Sequence, residues 1–192
     1  MQASSAIHAR AGKTALVLQP GQVTLGQLRQ IWRDEVELSL DPATRDGIEA
    51  ARRTVQEIIE QDRVVYGINT GFGKLAQKRI PADRLAELQR NLVLSHSVGT
   101  GDDLPPQVVR LILASKAVSL ARGHSGIRGE VIDALLALYN AGVMPCIPAK
   151  GSVGASGDLA PLAHLSLVLI GEGHVLIAGE KHPAAVGLAK AG

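Results

Sequence analysis

Residues 151–167 read GSVGASGDLAPLAHLSL, with glycines three apart at Gly151, Gly154 and Gly157 and a dense apolar run behind them. Several chemistries place glycine-rich backbone at the mouth of a helix. A phosphate cradle uses the free N–H groups of the first helical turn. The spacing here matches neither the P-loop nor the dinucleotide fingerprint, and no Gly-Lys-Ser/Thr follows. A nucleophile elbow, G-x-S-x-G, begins correctly at Gly154-Ala155-Ser156 but carries Asp158 in its fifth position. A plain turn with Asp158 as helix cap requires no chemistry at all. The remaining alternative is self-modification. The Gly157 amide nitrogen can attack the Ala155 carbonyl carbon and close a five-membered ring, a bend that only a residue without Cβ permits. Closing the ring releases one water, and elimination of the Ser156 hydroxyl releases a second. A methylidene carbon is left, a strong electrophile, with Asp158 placed to move the protons.

Other candidates lie upstream. The chain has one tryptophan, two tyrosines and one phenylalanine, and Tyr66 and Phe72 fall together in the glycine-rich stretch YGINTGFGK. Core packing would have put them on helices, so the placement points to a pocket. Asn69, Thr70 and Gly71 are candidates to line it. His96 follows Ser95 late in a helical pattern, where a lone histidine is a hydrogen-bonded core or surface residue unless a ligand claims it. Lys74 and Lys78 suit either a carboxylate or a solvated face. His124, His164, His174 and His182 stand at no ligand spacing, so no metal site is expected. Cys146 is the lone cysteine, which rules out an intrachain disulfide and fits a reducing compartment.

These residues need elements to position them. TALVL (14–18) reads as a short strand closed by Pro20-Gly21, and Thr24 caps a helix over TLGQLRQIWRDE. Asp41-Pro42 opens a second helix that runs with helical spacing to Glu60. Val64 to Tyr66 reads as a brief extended piece before the YGINTGFGK loop. Helical patterns follow at Leu85–Leu92, Pro105–Arg122 and Arg128–Asn140, the last two stopped by Gly123 and Gly142. MPCIP (144–148) must be extended. Leu159–Ile170 reads as a helix apolar on nearly every side, and His174–Ala178 as a final strand. The fold class is therefore mainly α with a few short strands.

Composition narrows the functions. With 192 residues, 46% hydrophobic and 20% charged, the chain can bury a substantial core. A net charge of +2 without a basic run excludes a nucleic-acid partner, and the scarcity of aromatics excludes base stacking. The longest apolar stretch is too short to span a bilayer, so no membrane partner is expected, and no apolar core of a secretory signal stands near the N-terminus.

GSVGASGDLAPLAHLSL closely resembles the active-site signature of the aromatic amino-acid ammonia-lyases, and VVYGINTGFGKLA (64–76) resembles the second signature of that family. RNLVLSHSVGTG (90–101) is similar to the version of the next helix found in the family's histidine-specific members. ARGHSGIR (121–128) and the lead-in MPCIPAKGSVGASGD (144–158) fit as well. The resemblance implies a 4-methylidene-imidazol-5-one (MIO) group formed from Ala155-Ser156-Gly157 beside Asp158, with no external cofactor. It implies Tyr66 as the base that removes a substrate β-proton, and His96 and Asn69 as substrate-binding residues. A phenol titrating near ~10 is a poor base at neutral pH, and bringing it to about 7 asks roughly 4 kcal/mol of its surroundings. The implied reaction is L-histidine to trans-urocanate and ammonia, in a cytoplasmic homotetramer. The same chemistry on tyrosine or phenylalanine, as a lyase or an aminomutase, is the near alternative, and a catalytically inactive helical association module the distant one. Family members are roughly two to three times longer and continue into a long central helical bundle. The expected organisation is thus a flexible N-terminus (1–13), an N-terminal ammonia-lyase-like domain (14–182) with the MIO loop at 151–158, and a truncated tail (183–192).

Overall fold

The computed structural model of the chain describes residues 12–76 and 78–192. Most of the N-terminal segment expected to be flexible, residues 1–11, lies outside them. Strand β1 (Thr14–Leu18), helix α1 (Leu25–Arg33) and strand β2 (Val36–Leu40) form a parallel β-α-β unit, with Thr14 opposite Val36 and Leu18 opposite Leu40. Helix α1 starts where the sequence says it should. The Gln27 N–H donates to the Thr24 hydroxyl and the Thr24 N–H to Gln27 Oε1, a reciprocal cap. Strand β2 was not expected, although V-E-L-S-L alternates with period two, and Val36, Leu38 and Leu40 are all buried.

Asp41 caps a short 3₁₀ turn that leads into α2 (Arg45–Glu60). Helices α3 (Leu85–His96), α4 (Pro106–Leu120), α5 (Gly129–Ala141) and α6 (Leu159–Leu169) supply the bulk of the structure. Gly142 ends α5 at φ +67°, a left-handed position that suits a residue without Cβ. Helix α5 also finishes the first sheet. The Asn140 amide accepts from Leu38 N–H and donates to Leu38 C=O, both at 2.8 Å, so a side chain replaces a third strand. The Tyr139 hydroxyl donates to the Val36 carbonyl beside it.

Two small antiparallel sheets hold the loops of the C-terminal half. Strands β3 (Thr100–Asp103) and β5 (Pro148–Lys150) pair with each other, and β4 (Val143–Pro145), β6 (His174–Ile177) and β7 (Glu180–Pro183) lie in the order β4-β6-β7. His174–Ala178 is therefore not the last element. The chain turns at Ala178-Gly179 into β7 and then into α7 (Ala184–Ala191), which buries Ala184 and Gly187 in the span expected as a tail. The main core gathers Leu18, Ile31, Leu113, Leu135, Ile147 and Leu165, and a smaller one gathers Leu138, Val143, Val168 and Val175. Cys146 is buried at their edge. Burial and the nearby Asp103 carboxylate push its thiol up to about 11, so it stays protonated and unreactive.

Candidate active site

Four segments meet around a cleft of about 630 Å³. The 66–73 loop brings Tyr66 and Phe72, α3 brings His96, α4 brings Lys116, and the 151–158 loop with α6 brings Ser156 and Leu159. Tyr66, His96 and Ser156, far apart in sequence, thus share one wall system. Tyr66 is 63% exposed, and its ring meets Phe72 edge-on with centroids 5.7 Å apart. The segment expected to be extended, Val64 to Tyr66, is loop throughout.

His96 has a defined tautomer. Its Nδ1 lies 2.8 Å from the Leu92 carbonyl oxygen, which can only accept, so Nδ1 carries the proton. Nε2 then keeps its lone pair and can accept a hydrogen bond from a ligand in the cleft. Lys116 was not anticipated. It is the only charged side chain between Arg110 and Arg122 in the sequence, and that isolation on an apolar helix was the available signal. On the cleft wall its ammonium favours an anionic group in the ligand.

The 151–158 loop is exposed and tightly turned. Gly154–Ser156 form one 3₁₀ turn, closed by Ser156 N–H to Val153 C=O (2.7 Å) and Gly157 N–H to Gly154 C=O (3.2 Å). Gly157 sits at φ +89° with open space where a Cβ would lie. Asp158 follows at φ 53°, also left-handed, immediately before α6. Its carboxylate does not cap the helix. It accepts the Ser152 hydroxyl instead, which holds the acid beside the Ala155-Ser156-Gly157 tripeptide.

Asn69 is not on the cleft wall. It is 4% exposed, and its amide is engaged within its own loop. Lys74 and Lys78 are exposed.

The two loops beside the cleft meet backbone to backbone. A Cβ on Gly151 (φ +144°) would lie 3.0 Å from Gly99 Cα, and one on Gly99 would press on the His164 ring at 3.1 Å, so both positions favour a residue without a side chain. His164 of α6 pins the contact by accepting the Gly99 N–H at 3.0 Å. Burial lowers the His164 pKa, and the Asp103 charge only partly restores it. The folded state therefore binds this proton less readily than the unfolded chain, whose imidazole titrates near ~6.5. The contribution of this contact to stability is complete above that value and is lost as pH falls below it. The thermal midpoint is expected to fall more steeply between pH ~7 and ~5 in the wild type than in His164→Gln, which keeps an acceptor that does not titrate. Parallel slopes would contradict the assignment.

A family model described as aromatic amino acid lyase matches residues 23–192. The chain is 64% identical over 178 residues to a histidine ammonia-lyase of Paracidovorax citrulli (strain AAC00-1), and 57% identical over 177 residues to that of Burkholderia multivorans. These alignments take in 90% and 92% of the chain but 35% of each relative, so the chain spans about a third of their length. Among solved structures it is similar to histidine ammonia-lyase from Trypanosoma cruzi (TM-score 0.84, 35% identity, covering 93% of this chain and 34% of that one). It is also similar to the ergothioneine-degrading ergothionase of Treponema denticola (TM-score 0.88, 29% identity, covering 92% and 35%).

Proposed function

Because the chain belongs to the aromatic amino acid lyase family, we propose that it forms the N-terminal part of a histidine ammonia-lyase, converting L-histidine to trans-urocanate and ammonia. The observation that carries this reading is the cleft in which Tyr66, His96 and Ser156 converge from three separate segments. Relatives with histidine as substrate at 57–64% identity support histidine over other aromatic amino acids.

The Ala155-Ser156-Gly157 turn fits the MIO group that the family resemblance implies. Gly157, which carries the attacking nitrogen, stands at a positive φ that suits a residue without Cβ, and Asp158 is held alongside. Once formed, the group supplies an electrophilic methylidene carbon for the substrate amine. The remaining work falls to side chains of the chain itself. The Tyr66 side-chain oxygen takes the β-proton, which is general base catalysis. His96 Nε2 accepts the N–H of the substrate imidazole, since its own Nδ1–H is committed to Leu92. Phe72 and Leu159 give the cleft apolar walls for the substrate carbons.

Tyr66 and Leu159, both on the wall of this cleft, are each more than half exposed, which suits further protein packing there and is in keeping with a homotetramer as the working form. The buried, unpaired Cys146 is in keeping with a reducing, cytoplasmic setting. Intact mass and turnover test the whole reading on full-length enzyme. The expected mass is lower than the sequence by the water of ring closure and the water of Ser156 elimination, and histidine is converted to urocanate. A protein of unmodified mass that nonetheless releases ammonia from histidine would overturn the assignment of the electrophile.

A further inference from the structure

Tyr66 is oriented by very little ring packing. Its side chain is mostly exposed and meets Phe72 by an edge, so its place over the cleft depends on the path of the backbone that carries it. That path is closed by a backbone turn onto the Val65 carbonyl and, beside it, by one buried side chain. Asn69 Oδ1 accepts the Val65 N–H at 2.9 Å, and Asn69 Nδ2 donates to the Arg63 carbonyl at 2.8 Å. The amide orientation is unambiguous, because an N–H must donate and a carbonyl must accept. The two bonds tie the residues just before Tyr66 to the residue three positions after it. The Asn69 backbone is anchored in turn by Ile80 N–H donating to its carbonyl at 2.9 Å, and Gly71 N–H donates to the Lys78 carbonyl at 2.9 Å.

We propose that Asn69 is a positioning residue for Tyr66, a clamp that fixes where the phenol oxygen stands rather than a contact to substrate. The inference rests on the lyase reading above for its kinetic consequence, while the clamp itself rests on geometry alone. Asn69 is 4% exposed and lies away from the cleft wall, so it has no surface to offer a ligand. Without it the Val65 N–H and Arg63 C=O lose their partners, and the Val65 carbonyl, which accepts from Ile68 N–H (3.1 Å) and Asn69 N–H (3.3 Å), is left as the tie across the Tyr66 turn. A misplacement of about 1 Å at a reacting group costs on the order of 100-fold in rate.

The test is a double-mutant cycle in full-length enzyme with L-histidine. Asn69→Ala is expected to lower kcat by about 100-fold with KM changed less than about threefold. In a Tyr66→Phe background the same substitution is expected to change kcat less than about threefold, because the group it positions is gone. A raised KM with kcat retained would make Asn69 a substrate contact and overturn the proposal. Equal losses in both backgrounds would show that it acts on the fold at large, which also overturns it. Should Asn69→Ala fail to fold, Asn69→Asp takes its place. Its protonated carboxyl reproduces both bonds and its ionised form only one, so activity relative to wild type must rise on acidification, and a flat ratio refutes the clamp. Amide exchange at Val65 in the 192-residue chain is independent of turnover. Protection lost in Asn69→Ala supports the clamp even if the wild type releases no ammonia and the lyase reading fails; unchanged protection refutes the clamp whatever the activity.

Discussion

Replacing Ser156 by alanine in the full-length enzyme is expected to abolish ammonia release while leaving the fold intact. Ser156 is exposed on a loop, and exposed substitutions away from special features change stability by about 0.5 kcal/mol or less. On the proposed reading its hydroxyl is also the leaving group from which the methylidene carbon arises, and alanine has nothing to eliminate. Unfolding curves of the two proteins should therefore superimpose, while the variant's mass retains the water that elimination removes. Ammonia release by the variant at the wild-type rate would disprove the role of Ser156 outright.

Tyr66→Phe is expected to lower kcat by about 10²–10⁴-fold, the usual worth of general acid–base catalysis, with KM little changed. The substitution removes one oxygen and nothing else. The ring keeps its edge contact with Phe72, and the loop keeps its backbone bonds around Asn69. A loss of less than tenfold in steady-state kinetics would mean that Tyr66 only packs against the cleft.

What the sequence disclosed depended on whether a residue's partner was near it along the chain. The Thr24 cap and the Gly142 stop are local devices, and both helices begin and end at them. Strand β3 is TGDD, a poor strand former, and exists because β5 pairs with it from more than forty residues away. The Ala178-Gly179 turn escaped because it needs φ 52° at an alanine, a conformation that residue seldom adopts. The motif residues Tyr66, His96 and Ser156 were legible as chemistry, and the structure places all three at one cleft. Asn69 was legible as part of a motif but not by its task, since nothing in N-T-G reveals that its amide turns back on Arg63 and Val65. Lys116 was marked only by its isolation on an apolar helix, and that it lines the same cleft as Tyr66 and Ser156 is a matter of tertiary placement.

The cleft is drawn from segments spread over a hundred residues, whereas the β1-α1-β2 unit is complete by Leu40. Long-range contacts must meet the entropy of closing long loops before they return any stability, so they form late relative to local ones. Time therefore orders the two halves of this molecule differently. Strands β1 and β2 and helix α1 have one another within reach by Leu40, with Asn140 of α5 arriving later to finish their sheet, while the 151–158 loop has no fixed surroundings until Gly99 and His164 have come to meet it. Any covalent change in Ala155-Ser156-Gly157 that depends on being held in shape is then a maturation step, later than folding and separable from it, so that a folded but chemically unaltered form must come first.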